Sequence, residues 1–489
     1  MRLNYLSNSF GLVLNCFGGL LLIPVIFAVI FGEFSSIIHF VIPALISVIL
    51  GFMLTKFSTL KGDVKNLNDI KKNEGLFIVA FSWVIAGVIS ALPYFFSGFS
   101  PVNALFESVS GITTTGATIF TRFDYSHALI FWRSFTQWLG GMGIIVLFIA
   151  ILPQFAVAGR QMFFAEAPGP TEDKFTPRIR STATSLWAVY AGLTILEIIC
   201  LSVAGMPVFD SICNSLSTIA AGGFSPNPES IMGYGSNYIT WIVMIFILLA
   251  GSSFNLQHRA YTRFNPFLMW KNEEFRVYIG IFLTIALLVV TSLILNDHFQ
   301  VFDAITHGAY QTISLMTSTG SASADFATWS FPTQILLFIA MFTGGCASST
   351  GGGIKIVRWV LLYKIMRVEL KKILHPNAVL NIKVNDTLIA KDVLGQTVIF
   401  ILFYITIILF SILVVTIIEK SLIVGIAGSI TTIGNIGPGF GHLIGPMANF
   451  DSLQNSSKLI FIFNMLIGRL ELIPFLVFLE KDFYNFRFE

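Results

Sequence analysis

Apolar runs fill most of the chain, and they come in two lengths. The long ones, at about 10–31, 37–54, 76–96, 183–203, 275–295 and 393–418, are close to the ~20 residues that cross the hydrocarbon of a bilayer. The short ones, at 101–112, 208–219, 301–316 and 422–433, reach too little depth at about 1.5 Å of rise per residue to cross it. A short apolar helix of this kind must enter, turn and leave by the face it came from. After the first two long runs, the order long run, short run, polar turn, long run recurs four times. The outgoing members lie at 128–152, 238–256, a broken helix from Phe331, and 458–478. The pattern predicts an all-α membrane protein: two N-terminal transmembrane helices plus four helix–pore-loop–helix repeats arranged around one pore. The corresponding divisions are 1–72 for the two additional helices, then 73–158, 159–262, 263–376 and 377–489 for the four repeats.

Each short run ends in a glycine turn: Thr114-Thr115-Gly116, Ala221-Gly222-Gly223, Ser318-Thr319-Gly320 and Asn435-Ile436-Gly437, with glycine-to-glycine steps of 107, 97 and 117 residues. Ser110, Ser217, Ser314 and Thr431 each lie six residues before the glycine, and Asn103 and Asp210 thirteen before it. Val208-Phe209-Asp210 reappears as Val301-Phe302-Asp303 in a third copy one helical turn longer. Similar loops repeated in one chain can do what identical subunits do elsewhere, which is to ring a pore with backbone carbonyls.

Irregular backbone at membrane depth is tolerated where protein or water surrounds it, so the turns line a wet cavity. Ser100-Pro101 is a good cap and first-turn pair for the first short helix, whose negative C-terminal end then points into the membrane toward the turn. Glycine permits the φ > 0 geometry that swings successive carbonyls toward one axis, and threonine and serine can add hydroxyl oxygens. Such a ring replaces the hydration shell of an alkali ion. None of the four turns holds an acidic residue, which argues against a divalent-cation site.

Composition agrees: 55% of residues are hydrophobic and 11% charged, with a mean hydropathy of +0.80, against about 25% charged in soluble domains. The N-terminus leads into its apolar run without a small-residue cleavage site, so it reads as a retained first helix rather than a signal peptide. Of the 29 Lys and Arg residues, 24 fall on alternate loops and the two tails, four (Arg122, Arg133, Lys420, Lys458) on the opposite side, and Arg469 inside an apolar run. By the positive-inside rule the glycine turns face outward and both termini are cytoplasmic. Cys16, Cys200, Cys213 and Cys346 have neither metal-site nor disulfide-framework spacing, the seven histidines are scattered, and no segment is large enough to bind a nucleotide as a soluble domain. Nothing points to an enzyme or to nucleic-acid binding.

Two irregularities break the fourfold pattern. The outgoing segment of the third repeat is interrupted by Gly344-Gly345-Cys346-Ala347-Ser348-Ser349-Thr350-Gly351-Gly352-Gly353, a stretch of low helix propensity that predicts a break inside the membrane. Its place below the turns makes Gly344, Gly345, Ser348, Ser349, Thr350, Gly351, Gly352 and Gly353 a candidate gate. It lacks the Gly-Lys-Ser/Thr ending of a phosphate loop, and a flexible cytoplasmic connector is the plainer reading. Gly140-Gly141-Met142-Gly143, Gly251-Ser252-Ser253 and Gly468 lie at similar depth, where small residues let helices pack closely. Arg469 is costly at membrane depth. It would either raise a barrier to cations or hold the broken helix, with Glu471 or another buried acid as a structural partner. Glu107 and Glu197 are the carboxylates nearest to serving a proton- or sodium-coupled symporter, the alternative to a channel.

The Thr-Thr-Thr-Gly-Ala run at 113–117, Gly-Gly-Phe-Ser at 222–225, Asn-Ile-Gly-Pro-Gly at 435–439, the segment 344–355 and Gly-Arg-Leu-Glu at 468–471 together resemble the TrkH family, membrane subunits of bacterial Trk potassium uptake systems, in a superfamily that includes KtrB. The resemblance runs over nearly the whole chain, and the two additional helices favour TrkH over KtrB. It implies that Gly116, Gly223, Gly320 and Gly437 are filter glycines. The pairs Thr114 and Thr115, Ala221 and Gly222, Ser318 and Thr319, and Asn435 and Ile436 would supply carbonyls to potassium. Segment 344–353 would be the gating loop and Arg469 the basic residue beneath the filter. It further implies a homodimer in the bacterial inner membrane with one pore per protomer. The gate would be controlled by a cytoplasmic, nucleotide-binding TrkA-type ring; no nucleotide would sit on this chain. Basic loops including 368–380 are the expected contact surfaces for that ring.

Overall fold

The computed structural model describes residues 2–60, 72–143, 179–378, 380–385 and 387–470. Among them six helices are long and apolar enough to cross a membrane. The first apolar run is two helices, Leu3–Leu20 and Ile23–Ile30, because Pro24 lacks the N–H that would continue the ladder and suits a helix start instead. Leu3–Leu20 packs closely on Phe34–Leu60. Gly11, Gly18 and Gly51 lie at that contact, where any Cβ would meet the facing helix at under 3.0 Å. Ser47 and Ser58 donate across it to the carbonyls of Leu14 and Asn4.

The incoming helices of the repeats are Lys72–Phe96, Ile179–Val203, Glu273–Asn296 and Lys391–Glu419. The short helices are Pro101–Ile112, Val208–Ile219, Val301–Met316 and Leu422–Ile433, as the apolar runs predict. The Ser100 hydroxyl accepts from Asn103 N, with Pro101 in the first turn, and Ser421 caps the fourth in the same way through Val424 N.

The outgoing helices depart from expectation. They are His127–Gly141, Asn237–Ala250, Phe331–Met341 and Asn455–Arg469; the expected continuations at 144–152 and 471–478 lie outside the described residues, as does Glu471. The span expected to continue to residue 256 breaks at Gly251-Ser252-Ser253 and turns through 97° into Phe254–Thr262. Ser253 causes this locally: its hydroxyl caps the new helix by accepting from Leu256 N, and a capping serine favours starting a helix over continuing one. In the third repeat the chain resumes as Ile356–Leu374, and a two-residue-strand hairpin (Lys383–Val384 with Thr387–Leu388) precedes the last repeat.

Neighbour relations run three-quarters of the way round a circle. The outgoing helix of the first repeat packs on its own short helix and that of the second. The second does the same with the third, and the fourth with the short helix of the first. The four short helices therefore surround one axis, with their C-terminal ends together.

Candidate functional site

The backbone of all four turns follows one path. The residue two before each glycine is left-handed (Thr114 φ 56°, Ala221 54°, Ser318 60°, Asn435 52°), and so is the glycine itself (Gly116 81°, Gly223 76°, Gly320 74°, Gly437 96°). Four matching left-handed non-glycine residues store strain at one place, which is where functional backbone tends to collect it. The amide one before each glycine donates back to the carbonyl six before it. These bonds run from Thr115 to Ser110 (2.9 Å), Gly222 to Ser217 (2.9 Å), Thr319 to Ser314 (2.8 Å) and Ile436 to Thr431 (2.8 Å). The hydroxyl pattern read from sequence thus marks the residue on which each turn hangs. Its side chain goes further only in the first and third repeats, where Ser110 and Ser314 donate to Ala117 O (2.5 Å) and Ser321 O (2.6 Å).

The turns then seat on one another in order. A Cβ at Gly116 would strike Gly222 O, one at Gly223 would strike Thr319 O, one at Gly320 would strike Ile436 O, and one at Gly437 would strike Thr115 O, each far inside the 3.0 Å limit of real Cβ contacts. Each glycine therefore makes room for the carbonyl that precedes the next repeat's glycine, and the fourth closes onto the first. Asn435 reinforces that closure by donating from Nδ2 to Thr115 Oγ1 at 2.9 Å. All twelve residues expected at the filter lie in this ring or directly behind it.

Segment 344–355 lies against the ring on the side where the short helices end. Thr350 Oγ1 donates to Ile219 O, the last residue of the second short helix (2.9 Å). Gly352 N donates to Ser318 Oγ. Gly351 and Gly352 press so closely on Thr317 O and Gly434 O that neither could carry a Cβ without a clash. The segment is pinned at its own ends as well: Cys346 N donates to Gly251 O (2.8 Å), Phe254 N to Ser348 O (3.0 Å) and Ile356 N to Gly345 O (3.0 Å). Glu274 Oε1 accepts from Ala347 N (2.6 Å), and Lys355 Nζ donates to Gly351 O. The expected gate residues, Gly344 to Gly353, are thus an ordered, backbone-bonded stretch across the ring, not a loose tether.

Arg469 donates to Thr350 O (2.9 Å), Gly140 O (2.6 Å) and Gly141 O (2.7 Å). It links the segment to the carbonyl end of the first outgoing helix, where a cation is favoured by the helix dipole. The small residues at this depth have two uses. Gly140 and Gly468 sit against Ile112 O and Ile433 O too closely for any side chain, and they also stand where their helices end.

Sequence reading missed the polar groups behind the ring. Glu107, one of the two carboxylates weighed for a symporter, is buried and holds Arg133 (Nε to Oε1, 2.6 Å), Thr118 Oγ1 (3.0 Å) and Ile119 N (2.9 Å). Arg133 also donates to Ser225 O (3.0 Å). The signal available was Arg133 itself, a charged residue inside a mostly apolar run. Glu197 is buried in the second incoming helix, and no cation is paired with it among the described residues.

Four re-entrant helices whose turns interlock around one axis, inside a bundle of apolar spanning helices, define a multi-pass membrane protein of the pore-loop class. Residues 44–485 match the family model TrkH, described as a cation transport protein. The chain belongs to the TrkH family. It is 36% identical over 99% of its length to the whole of the Trk system potassium uptake protein TrkH of Salmonella typhimurium. It is 34% identical to the Escherichia coli Trk system potassium uptake protein TrkG, over 85% of this chain and 86% of that one. The crystal structure of the potassium transporter TrkH from Vibrio parahaemolyticus superposes with a TM-score of 0.87 at 32% identity, covering 99% of this chain and all of that one.

Proposed function

We propose that the protein carries potassium inward across the bacterial inner membrane as a channel-like pathway. The observation that carries this reading is the cyclic seating of each repeat's carbonyl on the next repeat's glycine, which holds a ring of fixed oxygens with no carboxylate in it. Such a ring suits a monovalent cation that must bind well enough to enter and weakly enough to leave. Inward flow is driven by the membrane potential, worth about 2.3 kcal/mol per charge per 100 mV. The glycine turns face outward, and segment 344–353, held by Arg469, is the gate at the inner end. A homodimer with one pore per protomer, and control by a cytoplasmic TrkA-type nucleotide-binding ring contacting basic loops including 368–380, complete the proposal. The divisions at 72, 158, 262 and 376 are its working repeat boundaries. Growth of potassium-uptake-deficient cells at low potassium, with potassium flux into proteoliposomes, tests it; no rescue and no flux from folded protein would overturn it.

One observation favours coupled symport as the second reading. Glu197 is a fully buried carboxylate with no cation paired to it among the described residues, so it is available to take up a proton, whereas Glu107 is engaged by Arg133. A potassium reversal potential that shifts with pH at fixed potassium supports symport; one that ignores pH supports the channel.

A further inference from the structure

The second turn of the ring has the least with which to hold itself. In the first and third, the hydroxyls three and one before the glycine meet: Thr113 with Thr115 at 2.8 Å and Thr317 with Thr319 at 2.9 Å. The fourth has Asn435, bonded to Thr115 Oγ1 and to Met465 O. The second reads Ala220-Ala221-Gly222-Gly223 and has no polar side chain at all. Its Ser217 hydroxyl is buried without a partner, although Ser110 and Ser314 at the same position reach the far side of their turns.

What holds this turn comes from another repeat. Gln137, buried on the first repeat's outgoing helix His127–Gly141, donates from Nε2 to Gly222 O at 2.6 Å and accepts at Oε1 from Phe224 N at 3.1 Å. The two bonds straddle Gly223. A Cβ at Gly222 would run into the Gln137 amide, so this side chain fills the space into which the other turns put their own threonine or isoleucine. One helical turn earlier, Arg133 donates to Ser225 O and lies 3.6 Å over the Phe224 ring. Among the described residues the arrangement occurs once. Gly141 and Gly251 pack alike on the residue three before the next glycine (Ala220 and Thr317), and the residue four before Gly251 is Ile247.

We propose that Gln137 is a positioning residue for ion discrimination, fixing the Gly222 carbonyl at the radius potassium needs; this rests on the potassium-pathway reading above. Without the Nε2 donor that carbonyl is free to tilt, and one quarter of the ring can relax onto a smaller ion. The test is the potassium-to-sodium permeability ratio, taken from reversal potentials of purified full-length protein in planar bilayers, for wild type, Gln137→Met and Gln137→Glu. Methionine keeps the volume and removes both bonds; glutamate keeps the acceptor for Phe224 N and loses the amide donor. We expect the ratio to fall by about fivefold to tenfold in both, the scale of one lost hydrogen bond. A wild-type ratio in either folded variant, whatever happens to its thermal stability, assigns Gln137 a merely structural role and overturns the inference. If Gln137→Met does not fold, Gln137→Glu decides alone, with Gln137→Asn in its place if neither folds. Absence of potassium flux in the wild type is a different result and sinks the function itself.

Discussion

Arg133 Nε and Glu107 Oε1 lie 2.6 Å apart in a fully buried ion pair behind the ring. The glutamate also takes the chain leaving the first turn, through Thr118 and Ile119, and the arginine takes the chain leaving the second, through Ser225. The pair therefore fixes the segments that follow two neighbouring turns against each other. An ion pair this deep has given up its hydration, and removing one partner leaves a buried charge unanswered.

Glu107→Gln should accordingly destabilise the protein by about 3–5 kcal/mol, seen as a lowered melting temperature in detergent. The double variant Glu107→Gln, Arg133→Met should recover part of that loss, because both charges are then gone. A double variant less stable than Glu107→Gln alone would mean that Arg133 earns its place through Ser225 and Phe224 rather than through the carboxylate.

Gly116→Ser places a side chain where Gly222 O now sits and strains a backbone at φ 81°. It should reduce the potassium-to-sodium ratio by about tenfold or more, since the displaced carbonyl belongs to the ring itself. Gly98 is the control: it is also left-handed, at φ 98°, but has nothing within 4 Å of a built Cβ. Gly98→Ala should cost only the backbone strain, about 1–2 kcal/mol, and leave ion preference unchanged in the same flux assay.

The four short helices were legible because each is a short apolar run ended by a glycine turn, with Ser100-Pro101 and Ser421 also marking the start of the first and fourth. The break after Ala250 was not legible. Its three residues, Gly251-Ser252-Ser253, are ordinary helix-packing residues by type, and only the cap on Leu256 N decides for a new helix. The order of the turns around the axis was also out of reach: the repeated motif makes the copies look alike, but only packing shows that Gly116 faces Gly222 rather than Thr319. Arg133 and Glu107 escaped because they are 26 residues apart on different helices, and Gln137 because an uncharged amide in an apolar run carries no electrostatic signature.

The contact between Gly352 N and Ser318 Oγ joins the inner segment directly to the third turn, and Thr350 joins it to the second short helix. Ser318→Ala and Thr350→Val each remove one such bond, worth about 1 kcal/mol. If the segment is the gate, each should raise basal potassium flux about fivefold, and the two together more than either. Unchanged flux in both single variants would return 344–353 to the role of a passive connector.

Arg469 can restrain flux in two ways, and the structure gives each a distinct signature. As a charge beneath the ring it repels cations whatever it touches. As a latch it acts through three carbonyls, Thr350 O, Gly140 O and Gly141 O, which only a planar fork of several donors reaches together. Arg469→Ala abolishes both effects and should raise basal flux. Arg469→Lys keeps the charge but, with one compact ammonium, cannot bridge the helix end and the segment at once. The bond lengths of 2.6 to 2.9 Å favour the latch, so lysine should raise basal flux nearly as much as alanine. Flux that rises in Arg469→Ala and stays at the wild-type level in Arg469→Lys would assign the restraint to charge alone.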